Sequence, residues 1–524
     1  MAILCEGLAG IAFQGESKIS RVKGKELNVH RAVFERKSLF MEASRAATPD
    51  EEPPNILFIM TDQQRGDCLG AEGAEFLLTP NLDELAGDGM RFRCAYSTSP
   101  VCIPARRSLM SGMHPATHGM VGYCDHQEWN PPATLPQLLR DAGYHTGLVG
   151  RTMHLHPKRK RYGFEEMVIQ SGQEPLTDYE AFLQQQAPSL GGRYATGVMH
   201  NDWTARSWPV GDDLHPTHWT LNEAKRFLDR RDPSRPWFLT VSFLAPHPPL
   251  IPPDFYFQRY LRTPLPEPVI GDWAEEPDFR GNAPRVDSPR VNLRGEALLS
   301  CRAAYYALIN HIDDQIHRLL TRVSAAGGVD HRKTLVVFTS DHGEMLGDHH
   351  LFRKSLPYEA AARIPFLIRL PMQEKEVPRG EVCDLPVCLE DLMPTLLDAA
   401  GVPIPEWVDG RSLLSVLRGE KVGEWREDLL IEIGGGKQAF HALTDGREKF
   451  IRFSGDGREQ FFDLANDPGE ERDLIHCPQE QGRIALWRER MIARLADRPE
   501  GFVQNGKLVA GRPHRVLVPS EPIS

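Results

Sequence analysis

Asn55-Ile56-Leu57-Phe58-Ile59-Met60-Thr61-Asp62-Gln63-Gln64-Arg65 is an apolar run of strand length that breaks into a polar cluster. A short continuous apolar run of this kind fits a strand covered on both faces, as in a parallel sheet. The pattern recurs. Residues 334–339 run into Ser340-Asp341-His342-Gly343-Glu344, 237–243 into Ala245-Pro246-His247-Pro248, and 146–149 into Gly150-Arg151-Thr152-Met153-His154. A fifth strand is expected at 365–369. Helical periodicity occupies 81–87, 134–142, 220–230, 296–326 and 389–400. Strands alternating with helices predict an α/β fold, a large and mainly parallel sheet flanked by helices on both faces. The carboxyl ends of parallel strands share one edge, where such sheets bind ligands. Four polar clusters therefore converge on one edge.

The chain has 524 residues, a formal net charge of −11 and 41% hydrophobic residues. That length points to a large domain with a smaller companion. The acidic balance argues against a nucleic-acid partner, and no run reaches the roughly 18 apolar residues of a membrane span. Residues 1–52 mix Lys, Arg and Ser and end in Thr48-Pro49-Asp50-Glu51-Glu52-Pro53-Pro54, which reads as a disordered N-terminal extension. The main domain is expected at 53–420. A small C-terminal α+β domain follows at 421–500, with short strands at 428–433, 439–444, 449–453 and 460–463, a helix at 478–496, and a tail at 501–524. The long segments 157–215 and 250–290 read as excursions that shape a pocket. Nine scattered cysteines lack zinc-pair spacing and read mostly as small buried hydrophobes. Residues 1–13 lack a basic n-region and carry Glu6, a poor signal peptide that leans towards the cytoplasm over the periplasm.

Asp62, Gln63, Asp341 and His342 offer hard oxygen donors and one imidazole. That set suits one divalent ion, Ca²⁺ first with Mg²⁺ or Mn²⁺ as alternatives, over a structural zinc. Either aspartate alone would be an ordinary turn residue; on neighbouring strand ends the pair reads as a cation site. Cys102-Ile103-Pro104-Ala105-Arg106-Arg107-Ser108-Leu109-Met110-Ser111-Gly112 predicts a helix headed by Cys102, with Pro104 in its first turn. Unpaired N–H groups and the helix dipole suit that end to an anion, and Arg106 lies one turn on. Lys158-Arg159-Lys160-Arg161 reads as a solvated charge run. Asp313 and Asp314 read as helix-packing or solvent-facing residues, and neither His215 nor His218 as a ligand.

The spacing Cys102-x-Pro104-x-Arg106 followed by Ser108-Leu109-x-x-Gly112 resembles the signature of the formylglycine-dependent sulfatases, arylsulfatase-like members of the alkaline-phosphatase superfamily. Further landmarks are Thr79-Pro80-Asn81-Leu82, Gly143-Tyr144-His145-Thr146-Gly147, Asp341 to His349, Lys354, Pro394 to Asp398 and Phe462 to Pro468, so the resemblance spans about 53–475. It implies a sulfuric ester hydrolase acting on an aryl or carbohydrate sulfate. Cys102, converted to formylglycine by a formylglycine-generating enzyme, would attack sulfur as the hydrate and also ligate the metal. Asp62, Gln63, Asp341 and His342 would complete the metal shell. Arg106 would hold the hydrate, His154 would orient it and take the proton of its second hydroxyl, and Lys354 and His247 would bind sulfate oxygens. Three departures stand out. Gln63 replaces a frequent Asp, Ala105 replaces a small hydroxyl residue, and Arg151-Thr152-Met153-His154 replaces Lys-x-His. Arg151 thus stands for Lys with one extra residue, which makes His156 a rival of His154. Two other readings remain open at this level. One is a phosphonate monoester or phosphodiester hydrolase sharing the Asp-Gln pair; the other is a non-catalytic metal- or sulfated-glycan-binding protein with unmodified Cys102.

Overall fold

The computed structural model describes residues 52–172, 177–277, 285–325 and 329–519. The extension expected at 1–52 thus lies, apart from Glu52, outside the described residues. From Pro53 onward the chain forms one compact unit. Its strands are β1 (Asn55–Asp62), β2 (Met90–Phe92), β3 (Ala95–Tyr96), β4 (His145–Arg151), β5 (Glu166–Ser171), β6 (Trp237–Pro246), β7 (Thr334–Ser340), β8 (Phe366–Arg369) and β9 (Glu381–Cys383). All but β3 join one sheet in the order β5-β4-β6-β1-β7-β8-β2-β9; β3 pairs with β10 (Val387–Cys388).

Strands β5, β4, β6, β1 and β7 run parallel. The expected fifth strand, β8, runs against β7 and β2, so the sheet is mainly parallel with a mixed edge. Thr61 lies opposite Ser340 in the β1–β7 register, which brings the ends bearing Asp62 and Asp341 side by side.

The apolar runs alternate between two helical layers, as the two-residue strand period requires. Leu57 and Ile59 of β1 pack with the helices Pro216–Arg230 and Gly295–Ala325. Ile56, Phe58 and Met60 pack with the helices Cys102–Ser111, Leu135–Asp141 and Leu392–Ala399. Asp313 of the long helix has a structural task. Its carboxylate accepts from the backbone N–H groups of Asn81 (3.2 Å) and Leu82 (2.8 Å), satisfying the first turn of the helix Pro80–Asp88.

The small sheet comprises β11 (Leu429–Ile433), β12 (Phe440–Thr444), β13 (Lys449–Phe453) and β14 (Glu459–Phe462), antiparallel and in sequence order. The helix Gln481–Leu495 covers one face with Ile484, Trp487 and Met491. The other face, including Ile431, Phe440 and Ile451, packs on Tyr96, Val101 and Met345, so it backs the residue that precedes Cys102. The stretch read as a tail returns to the body: Val121 N–H donates to Val516 O (2.9 Å) and Val518 N–H to Gly119 O (3.1 Å). Among the described residues no helix is long and apolar enough to cross a membrane.

His215 caps the helix Pro216–Arg230. Its Nδ1 accepts from Thr217 N–H (3.1 Å), which leaves Nε2–H to donate to Ile251 O (3.2 Å). Only the neutral ring makes both bonds. Burial pushes its pKa down to about 3, so the unfolded chain takes up this proton first as pH falls. His215 therefore stabilises the fold fully above about pH 6.5 and progressively less below it. Between pH 7 and 4.5 this group costs about 2–3 kcal/mol of unfolding free energy. Urea unfolding of the parent and of His215→Asn at both pH values checks this: the variant should lose most of that increment, and an unchanged difference contradicts it.

Candidate active site

Cys102 is the first residue of a ten-residue helix whose every side chain is buried, entered from Val101 in extended conformation. The helix ends at Gly112 in the left-handed region (φ 66°), where a Cβ would meet Val408 at 2.8 Å. Both features of the turn demand glycine, which explains the last position of the signature. The Cys102 Sγ lies 3.2 Å from His342 Nε2 and 3.8 Å from Asp62 Oδ1.

Arg106, fully buried, ties the two strand ends together. Its Nε donates to Asp341 Oδ2 (2.8 Å), its Nη2 to Asp62 Oδ2 (3.0 Å), and its Nη1 to Thr152 O and Ser242 Oγ (both 3.2 Å). Arg151 adds an ion pair to the same Asp62 oxygen. One oxygen of each aspartate is thus held by arginine, and the other faces a common space with His342 and Cys102. Donor atoms of Asp62, Cys102, Asp341 and His342 all lie within 4.8 Å of one another. Gln63 joins them at φ 72°, a strained conformation for a non-glycine residue. Its N–H donates to Asp341 Oδ1 (3.1 Å) and its Oε1 accepts from Lys354 Nζ (2.6 Å).

The cluster draws positive charge. Burial alone would raise the Asp62 carboxyl, but Arg151, His247, Arg106 and Lys354 hold it well below the usual carboxylate range. Burial alone would lower the His342 imidazole, yet Asp341 and Cys102 raise it. Burial and Asp62 push the Cys102 thiol up; Lys354, His342 and Arg151 outweigh them and bring it down. Two half-neutralised carboxylates and an imidazole, beside Cys102, form a donor set that fits a divalent cation.

Cys102, Arg151, His247 and Lys354 all line a cavity of about 1080 Å³. The His247 Nδ1 is 2.7 Å from Pro248 O, which assigns the ring proton to that nitrogen. His154 is not brought to this cavity. Its Nε2 bonds Pro157 O (2.9 Å), and its ring lies edge-on to Tyr162 at 4.6 Å. The position two beyond Arg151, which the Lys-x-His pattern would fill with histidine, holds Met153, whose sulfur packs 3.7 Å from Arg106. The extra residue thus turns His154 away from the cavity while keeping it buried, and His156 is likewise absent from the lining. The basic run also lies elsewhere, with Arg159 paired to Asp178 (2.9 Å) and Lys160 beside Tyr162.

Other lining residues were not singled out in the sequence. His200 lies 5.6 Å from His247 between ring centroids, and burial pushes its pKa down to about 4. Trp273 stacks on Tyr358 at 4.6 Å. His200 and Trp273 come from the two long excursions, whose length flagged a pocket while no local pattern named a residue. Gln438 and Arg458 come from the loops that lead into β12 and β14 of the small sheet.

Comparison with known proteins agrees with this geometry. The sulfatase family model matches residues 54–402, and the model for the C-terminal region of N-sulphoglucosamine sulphohydrolase matches 347–497. An arylsulfatase of Clostridium perfringens is 40% identical over 479 residues, covering 88% of this chain and 99% of that protein. Among solved structures, a phosphonate monoester hydrolase of Agrobacterium radiobacter superposes with a TM-score of 0.70 at 24% identity, covering 88% of this chain and 100% of that one. A protein solved with its substrate D-glucosamine-2-N,6-O-disulfate gives 0.66 at 22% identity, covering 85% and 98%. Fold and site together define a hydrolase of the alkaline-phosphatase superfamily built around a divalent metal. Within that class the chain belongs to the sulfatase family, and it hydrolyses sulfate esters.

Proposed function

We propose that this chain hydrolyses aryl sulfate esters with Cys102, matured to formylglycine by a formylglycine-generating enzyme, as nucleophile. The observation that carries the reading is the seat of Cys102: the first position of a buried helix, against Asp62 and His342, in the lining of a large cavity. The stacked Trp273–Tyr358 pair, with Tyr123 and Phe352 in the same wall, favours an aromatic carrier for the sulfate.

Asp62, Gln63, Asp341 and His342 would hold one divalent cation, Ca²⁺ by the hardness of its donors. When bound, the ion supplies electrostatic stabilisation of the charge that builds on the transferring group. The chain's own residues account for the rest. One hydroxyl of the Cys102-derived hydrate loses its proton to solvent through the open cavity and attacks sulfur while the bond from sulfur to the aryl oxygen breaks. Lys354, on the cavity wall, holds the sulfate oxygens and supplies the proton that the departing aryl oxide needs. His247 is kept neutral by burial and Lys354, with its N–H given to Pro248 O, and joins as a donor only once the bound anion draws a proton onto its Nε2. The second hydroxyl then gives up its proton, the carbon–oxygen bond to sulfate breaks, and the aldehyde returns, to be hydrated again by water. His154 points away from the cavity, so we assign that proton to His200, whose depressed pKa keeps it a neutral acceptor near neutral pH. Covalent catalysis of this kind regenerates its nucleophile without a second attack at sulfur.

The test uses 4-nitrophenyl sulfate beside a 4-nitrophenyl phosphonate ester. We expect the sulfate ester to be the better substrate; a large preference for the phosphonate ester would replace this reading with the phosphonate one. Chelation should abolish turnover, and Ca²⁺ should restore it in the parent but not in Asp341→Ala. Activity that survives both treatments would sink the metal assignment.

A further inference from the structure

We infer that Glu344 is a positioning residue that makes Gln63 an oxygen ligand. The inference rests on the reading that Gln63 faces the cation, and it goes beyond that reading by naming what orients the amide. An amide side chain presents either oxygen or nitrogen at nearly the same place, and only its partners decide which. Gln63 is fully buried between two partners of opposite and unambiguous character. Lys354 Nζ can only donate, and it sits 2.6 Å from Gln63 Oε1. The Glu344 carboxylate, when ionised, can only accept, and its Oε2 takes the bond from Gln63 Nε2. Together they lock the amide with oxygen towards Lys354 and nitrogen away from it.

A carboxylate is required at 344 because it meets three donors. Its Oε1 accepts from the backbone N–H groups of Leu346 (2.8 Å) and Arg353, while Oε2 accepts from Gln63. A glutamine at this position has one acceptor oxygen. If that oxygen keeps the two backbone bonds, its NH₂ group points at Gln63. The Gln63 amide must then flip to accept it, which turns an NH₂ towards Lys354 and the cation. Two cationic neighbours facing a donor group is a repulsive arrangement, and an amide nitrogen is no ligand for Ca²⁺. Glu344 also fixes the backbone of Arg353, the residue before Lys354, so one carboxylate sets both a metal ligand and the approach of a sulfate-binding cation.

An isosteric exchange of the two side chains separates the possibilities. Gln63→Glu alone puts two carboxylates against each other. Combined with Glu344→Gln it restores a donor–acceptor pair, with the new NH₂ donating to a carboxylate that needs no orienting. The experiment is calorimetric titration of chelator-stripped full-length protein with Ca²⁺, with circular dichroism to confirm that each variant is folded. Glu344→Gln should weaken Ca²⁺ binding by about 10- to 100-fold, the usual range for a residue that orients a ligand. Gln63→Glu should also weaken it, and the double variant should return to within about threefold of the parent. A role for Glu344 in holding only the 346–353 loop predicts no rescue by Gln63→Glu. Binding by Glu344→Gln within twofold of the parent, or a double variant no tighter than Glu344→Gln, would overturn the inference. If Glu344→Gln fails to fold, the comparison of Gln63→Glu with the double variant decides it alone. Asp341→Asn locates the bound ion: if Ca²⁺ affinity is untouched there, the cation reading falls together with this one, whereas its loss with an indifferent Glu344→Gln removes only the role of Glu344.

Discussion

Cys102→Ser protein turns over 4-nitrophenyl sulfate at least about 10⁴-fold more slowly than the parent and yields at most one equivalent of nitrophenol per chain. The size of the effect follows from what the rest of the site can and cannot do. A serine hydroxyl at the helix N-terminus would still lie beside Asp62, His342, Arg106 and Lys354, so a first attack on sulfur is within reach. What it lacks is the second hydroxyl on the same carbon. A serine sulfate can be released only by a new attack at a crowded, anionic sulfur. The hydrate of an aldehyde sheds sulfate by breaking its own carbon–oxygen bond. Stopped-flow release of nitrophenol, followed by intact mass, reads both halves of the prediction. Covalent sulfate adds about 80 Da to the variant, and sustained turnover by Cys102→Ser at a rate near the parent's contradicts the mechanism.

The second large effect is on stability. Arg106→Ala lowers the unfolding free energy of chelator-stripped protein by about 3–5 kcal/mol. Arg106 is fully buried and is the hinge pin of the β1 and β7 ends, bonding one oxygen of Asp341 and one of Asp62. Its removal leaves two buried carboxylates, with Arg151 and His342 as remaining ion-pair partners of Asp62. Arg106→Lys rescues only part of the loss, because an ammonium group lacks the planar fork that spans both carboxylates. Ca²⁺ should recover more stability in Arg106→Ala than in the parent at the same free concentration, since the ion takes over neutralisation of the same pair and binds only the folded chain. Guanidinium unfolding with and without Ca²⁺ measures all three. A loss below about 1 kcal/mol, the usual yield of an exposed pair, would show that Arg106 is not the buried clamp described here.

The central strands were legible because their residues answer to one simple rule. Ile56, Phe58 and Met60 face one helical layer and Leu57 and Ile59 the other, so an unbroken apolar run could only be an interior strand. The polar residues that end such runs then fall on one edge, which is why Asp62, Asp341 and His247 group from the sequence alone. Cys102 and Arg106 were readable for a related reason: a four-residue offset on a helix puts both on one face. Legibility stopped where side-chain direction depends on a single backbone residue. Gly150-Arg151-Thr152-Met153-His154 carries one residue more than Lys-x-His, and that residue exchanges which side chains point inwards, burying Met153 against Arg106 and sending His154 to Tyr162. The strand direction of β8 was equally hidden, since an apolar run has no sign. His200, Trp273 and Tyr358 reach the cavity from segments without periodicity, placed by tertiary packing alone. Asp313 shows the converse: its burial is set by the helix Pro80–Asp88 some 230 residues earlier in sequence, whose N–H groups it satisfies.

The mechanism stands on the chemical state of Cys102, and mass spectrometry of the peptide that carries it reads that state directly. In protein that turns over 4-nitrophenyl sulfate, the mechanism predicts a Cys102 peptide about 18 Da lighter than its sequence, with a carbonyl that reacts with hydrazide, and an activity proportional to the fraction converted. Active protein in which Cys102 remains an unmodified thiol would contradict it.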